Sequence, residues 1–186
     1  MDVLCTDKTG TLTEDRIALE RHTNAWGEPA QHVLELAYLN SYYQTGLKNL
    51  LDQAVLEQGR GTLASSPAWE KVDEVPFDFA RRRMSVVVSR QEGEHLLVCK
   101  GALEEMLSVC SHVERGEACL PLNTGLLERI QTVTAELNAQ GLRVVAVASR
   151  CFSGADRRAA YGVADEAGLT LVGYIAFLDS AKASAA

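Results

Sequence analysis

The sequence is short of positive charge. Its 18 lysines and arginines face 25 aspartates and glutamates, a formal charge of −7 over 186 residues. A nucleic-acid binder carries a basic footprint, so the balance argues against that class. A small anionic ligand remains open if the few bases converge on it. Paired cysteines are missing too. Cys5, Cys99, Cys110, Cys119 and Cys151 are odd in number and form no CxxC. Three sit inside apolar runs, so they read as reduced cytosolic thiols packed as small hydrophobes. The four histidines have no metal-ligand spacing, and His22 and His112 read as surface or strand residues. No signal peptide opens the chain. The longest apolar run, Leu169 to Leu178, is far below the roughly 20 residues that cross a bilayer. The chain by itself is therefore expected to be soluble, which says nothing of a longer parent. There is no internal repeat.

What is present is 47% apolar, enough core for one domain, or one domain and a fragment of another. Asp2–Thr6 reads as a short buried strand, and Asp15–Glu20 with His22–Trp26 as a second. Pro29 suits the first turn of a helix whose apolar face runs from Val33 to Tyr43. A second helix fits Asn49–Gln58, and Gly59 to Pro67 is a loop by composition. Glu70–Phe77, Met84–Arg90 and His95–Lys100 read as strands, the last two joined by a turn around Glu92–Gly93. Ala102–Cys110 and Leu122–Ala139 read as helices, the longer one facing Leu127, Ile130, Val133 and Leu137 inward and stopping at Gly141. Val144–Cys151 and Leu169–Leu178 are strands around a polar Ser153–Gly168 loop or loose helix. Hairpin-linked strands mixed with helices predict an α+β fold, a mainly antiparallel sheet flanked by helices.

Residues 5–13 read CTDKTGTLT. A carboxylate is ionised at neutral pH and can attack phosphorus without a general base. The end of a buried strand gives it a rigid mount and an open approach. Lys8 can offset charge on transferred oxygens. Gly10 allows a tight turn, and Thr9, Thr11 and Thr13 offer groups to phosphate or Mg²⁺. The tetrad DKTG alone reads equally well as a plain turn. The full string DKTGTLT resembles the phosphorylation signature of P-type ATPases. That resemblance implies catalytic roles for Asp7, Lys8 and Thr9, with Asp7 phosphorylated by ATP. It makes Asp7 and Thr9 the Mg²⁺ contacts, Thr9 through its carbonyl. Two rivals use similar letters. The KTG of serine β-lactamases needs an SxxK nucleophile, and none of the five lysines has serine three places before it. Haloacid-dehalogenase-like phosphatases usually carry a second acid two residues after the nucleophile. Here that position is Thr9, so an aspartyl-phosphate should persist.

Three further stretches fit the same family. In PFDFARRRMSVVV, Phe77 matches a phenylalanine that stacks on adenine, as a flat ring suits. An arginine triplet is ordinarily a solvated cluster. The resemblance puts Arg82 nearest the phosphates, with Arg81 and Arg83 flanking the strand. Phe79 stands where the family often has arginine. In VCKGALE, Lys100 matches a lysine of the adenosine pocket, and Gly101 removes bulk so that a ligand could approach the backbone. In GLRVVAVA, Arg143 is either a strand-end partner for an acid or a phosphate clamp, the role its planar fork allows. Asp52 in LLDQAVL matches an acidic site that would accept from the adenine amino group. A plain helix-surface acid is the alternative.

The resemblance runs from Asp7 to about Asp179. It implies that 1–14 is the first strand and phosphorylation motif of a phosphorylation domain. It makes 15–179 the nucleotide-binding domain and 180–186 a tail outside the fold. GYIAFLD looks like the family's return strand, with Ser180–Ala181 where Pro-Pro is expected. NSYYQTGLKNLLDQAVL is similar to the bacterial magnesium-importing class. The implied parent is a bacterial inner-membrane magnesium transporter that uses ATP and Mg²⁺, of which this is a cytoplasmic domain. Its partners would be ATP and the parent's other phosphorylation, actuator and transmembrane parts, with no nucleic acid. By itself the chain is expected to be monomeric, to bind nucleotide and not to turn it over. A phosphatase and a non-catalytic nucleotide-binding module are the other readings.

Overall fold

The computed structural model describes residues 13–60, 69–90 and 93–181. Among them run eight strands and four α-helices, in one sheet. The strands are β1 (Thr13–Asn24), β2 (Glu70–Asp78), β3 (Arg83–Ser89), β4 (His95–Gly101), β5 (Cys110–Arg115), β6 (Ala118–Pro121), β7 (Arg143–Phe152) and β8 (Leu169–Ala181). The helices are α1 (Gln31–Tyr43), α2 (Leu50–Gly59), α3 (Leu103–Leu107) and α4 (Thr124–Ala139). The sheet order is β2-β3-β4-β7-β8-β5-β6. The far edge of β8 is shared: β5 pairs with its first residues in parallel, and β1 pairs antiparallel with the rest. Every other pairing is antiparallel, so the expected α+β architecture holds.

The sheet separates two apolar layers. On one face α1 and α2 bring Val33, Leu36, Leu39 and Val55 onto Val86, Val88, Val98, Ile175 and Phe177. On the other, Met106 of α3 and Ile130, Val133 and Leu137 of α4 pack on Val87, Leu97, Cys99, Ala146 and Tyr174. A strand covered on both faces loses its polar alternation. That is why β3 reads Val86–Val87–Val88, all fully buried. Burial pushes the Cys99 thiol up to about 12, consistent with a cysteine that packs as a small hydrophobe. Cys99, Cys110, Cys119 and Cys151 are all free thiols. No helix among the described residues is long and apolar enough to cross a membrane.

Several boundaries differ from those expected. Pro29 lies outside the helix: Ala30 is the N-cap, and Pro29 bridges to Thr23. The expected helix over Ala102–Cys110 is cut to Leu103–Leu107. The Val109 carbonyl accepts from Leu169 N (3.0 Å), and Cys110 pairs beside Leu169. The sheet edge takes those residues against their helical pattern. The β5–β6 hairpin, turning at Gly116 with φ +60°, was not expected at all. Ser153–Gly168 holds two short 3₁₀ turns, Gly154–Asp156 and Val163–Asp165. The α4 stop is as expected, with Gly141 at φ +79°. Strand β8 runs on through Ala181.

Candidate functional site

Helices α1 and α2 cover only part of their face of the sheet. Beside α2 a cavity of ≈540 Å³ opens, a size typical of small-molecule sites. Asp52 comes from α2, Phe77 from the end of β2, and Phe79 and Arg82 from the turn between β2 and β3. Lys100 and Gly101 end β4, and Arg143 opens β7. Val145, Ile175 and Phe177 supply an apolar wall. Asp52, Phe77, Arg82, Lys100, Gly101 and Arg143, singled out from separate stretches of sequence, thus line one cavity.

The β2–β3 turn presents two aromatic rings to it. Phe77 is 50% exposed and Phe79 90%. They meet edge to face, centroids 5.3 Å apart. Asp78 Oδ1 holds the turn by accepting from Ala80 N (2.6 Å) and Arg81 N (3.1 Å). Those bonds keep the Asp78 carboxyl below its ordinary value. Arg82 has φ +43°, a left-handed conformation that costs a residue with a Cβ about 1–2 kcal/mol. Its backbone is fixed on both sides: Arg82 N donates to Asp78 O (2.7 Å), and Ala102 N donates to Arg82 O (3.0 Å).

Asp52 is not a helix-surface acid. It is 1% exposed and forms a buried ion pair with Lys100, itself 9% exposed. Ser41 Oγ donates to the same carboxylate oxygen (2.9 Å), and Asn49 N to the other (3.2 Å). In return Asn49 Oδ1 accepts from Asp52 N (3.0 Å), closing a capping box at the start of α2. Burial by itself pushes the Asp52 carboxyl up, but the charge and hydrogen bond of Lys100 outweigh it, and the net shift is downward. Burial draws the Lys100 ammonium down, and Asp52 offsets only part of that. Lys100 therefore stands at the cavity with its charge already countered.

The space beside Gly101 is also not left to a ligand. A Cβ there would meet Arg82 O at 2.7 Å and Arg83 Cα at 2.9 Å. The chain itself makes the close approach.

The arginine triplet divides by side. Arg81 and Arg83 were expected only to flank the strand. Both instead bond the buried carboxylate of Glu166, Arg81 Nη1 at 2.6 Å and Arg83 Nε at 2.9 Å. Ser85 Oγ donates to it as well (2.7 Å). Arg82 lines the cavity and is ion-paired with Glu105 and, at 3.8 Å, Glu104. A phosphate there would compete with these acids. Glu166, Ser41 and Glu105 escaped the sequence reading. The Asn49–Asp52 spacing is a legible capping signal, but Glu166 has no local signal, because it meets its partners only through the fold.

Asp7, Lys8 and Thr9 lie outside the described residues. Among the described residues no group of three histidine, cysteine or acidic side chains could hold a metal ion.

A profile of the family described as "P-type ATPase, cytoplasmic domain N" matches residues 62–184. Proteins named magnesium-transporting ATPase, P-type 1, from Salmonella typhimurium (strain LT2) and Escherichia coli (strain K12), are each 56% identical over 188 aligned positions. The alignments cover all of this chain and 21% of each relative. Plasma membrane ATPase 1 of Candida albicans is 30% identical over 154 positions, covering 81% of this chain and 16% of that protein. The chain thus spans about a fifth of the length of its bacterial relatives. With the profile matching well over half of its residues, the chain belongs to the family of P-type ATPase cytoplasmic N domains.

Proposed function

We propose that this chain is the ATP-binding domain of a magnesium-transporting P-type ATPase, and that its cavity receives the adenosine of ATP. The observation that carries the reading is the half-exposed ring of Phe77 sharing one cavity with Lys100 and Arg143. An exposed aromatic over an apolar wall suits a purine, since stacking on a flat ring removes both from water. Arg82 and Arg143 are the cations for the phosphates, and Arg82 must exchange its acidic partners to serve. Asp52 holds Lys100 in place. The magnesium label rests on the names of the relatives that match at 56% identity.

Asp7 is the proposed phosphoryl acceptor, within a segment 1–14 that precedes the nucleotide-binding domain at 15–179. Mg²⁺, held by Asp7 and Thr9, would neutralise charge on the transferred group. Thr9 in place of a second acid favours a persisting aspartyl-phosphate over the phosphatase reading.

Titration with AMP-PNP followed by NMR tests the site. Amide shifts are expected around Phe77, Lys100 and Arg143. Phe77→Ala should weaken binding by about tenfold, the loss of one base–aromatic stack. An absence of shifts at Phe77 and Lys100 would count against the reading.

A further inference from the structure

We propose that Glu166 is a positioning residue for this site. From the opposite face of the sheet it fixes the β2–β3 turn that carries Phe77 and Arg82. The inference rests on the nucleotide reading above.

The Glu166 side chain is fully buried. One of its oxygens takes Arg81 Nη1 and Arg83 Nε, and the other takes Ser85 Oγ. Each arginine then reaches further. Arg81 Nη2 donates to the carbonyl of Pro76 (2.7 Å), the residue before Phe77. Arg83 Nη1 lies 3.5 Å from the carbonyl of Glu105, the acid that pairs with Arg82. One carboxylate thereby grips both arms of the turn. Arg82, between the two bonded arginines, is left on the cavity side in its left-handed conformation.

Glu166 itself is anchored. Its backbone N donates to Val163 O (3.2 Å). The preceding Asp165 accepts from Gly162 N (2.9 Å) and Arg158 Nη1 (2.8 Å). Tyr161 N donates to Asp73 Oδ2 on β2 (2.7 Å). The segment before β8 is therefore tied to β2, the strand that carries Phe77 near its end.

Stability alone is a poor reason for this cluster. Desolvating two guanidinium groups and a carboxylate is costly, and apolar side chains of similar volume usually stabilise as well or better. What the charges supply is direction: planar forks and a carboxylate accept few geometries. The turn needs that, because its exposed tip has little packing of its own.

The test compares AMP-PNP and adenosine as ligands of the chain. Glu166→Gln is expected to weaken both alike, by about tenfold, since a displaced Phe77 shelf affects the base. Amide resonances of 76–83 should move while those of 143–147 stay. Arg82→Ala, by contrast, should weaken AMP-PNP and leave adenosine unchanged. Should Glu166→Gln fail to fold, Arg81→Met keeps one buried pair, Arg83 with Glu166, and frees the Pro76 carbonyl; it too should lose adenosine affinity. Wild-type affinity for both ligands in these variants overturns the role of Glu166 alone. A wild-type chain that does not respond to AMP-PNP overturns the nucleotide reading and this role with it.

Discussion

Asp52 occupies the third position of α2 with both carboxylate oxygens engaged. Its main partner, Lys100, is only 9% exposed, at the cavity wall. Asp52→Asn leaves a buried ammonium facing a neutral amide, and breaking a buried pair in this way costs about 3–5 kcal/mol. Urea unfolding of the two proteins at neutral pH measures the difference directly. The same pair has a pH signature. In the native chain the Asp52 carboxyl titrates below its unfolded value. Between those values the unfolded chain holds a proton that the native chain does not, so stability rises with pH. The contribution is whole above the ordinary carboxylate range near ~4 and is lost as pH falls through the lower folded value. The gap between wild type and Asp52→Asn should therefore narrow in acid. A gap of constant size from neutral pH down to pH ~3 would show that Asp52 is not the group responsible.

Strands β3 and β4 meet closely at one point, where Gly101 pairs with Arg83. The obstacle to a side chain there is Arg83 Cβ together with the backbone atoms Arg82 O and Arg83 Cα. Gly101→Ala must push the β2–β3 turn away, at a cost of roughly 1–3 kcal/mol for overpacking. The displacement acts at the foot of the cavity, so affinity for AMP-PNP should fall together with thermal stability. A variant that loses stability but binds as wild type would place the strain elsewhere. This junction also shows how far sequence carries. The strands at β2, β3, β4 and β7, the long α4 and its Gly141 stop follow from periodicity and breakers, because their own residues determine them. Phe77, Lys100 and Arg143 could be singled out, since each sits in a distinctive stretch. The use made of Gly101 could not be read, because its neighbour lies on another strand. Nor could the partnership of Glu166 with Arg81 and Arg83, some eighty residues distant. The β5–β6 hairpin escaped for a similar reason: Cys110–Val113 gain their strand character from Leu169–Leu171.

At the scale of the whole molecule, the sheet gathers both ends of the described chain on one edge. Thr13 pairs with Ala181, and Ile17 with Asp179. Two adjacent strands can join this domain to a longer chain while its own sheet and both apolar layers stay closed. Binding and turnover should then separate. Among the described residues the cavity draws on β2, β3, β4, β7, β8 and α2 with their flanking residues, so the proposed nucleotide binding should not require the remaining four-fifths of the relatives' length. Phosphoryl transfer needs the γ-phosphate in line with its acceptor and its charge neutralised. Asp7 precedes β1 in the sequence, and on the proposed reading the parts that would align it with the γ-phosphate belong to that remaining length. The chain incubated with ATP and Mg²⁺ should therefore bind nucleotide but release no phosphate above the level of Asp7→Asn, and acquire no acid-stable label from the γ position. Because the molecule carries a net charge of −7, the proposed attraction for the triphosphate would be local to Arg82 and Arg143. Salt should weaken ATP binding and leave adenosine nearly unaffected. Phosphate release that disappears in Asp7→Asn would reverse the conclusion, making the chain a self-contained phosphatase rather than one domain of a transporter.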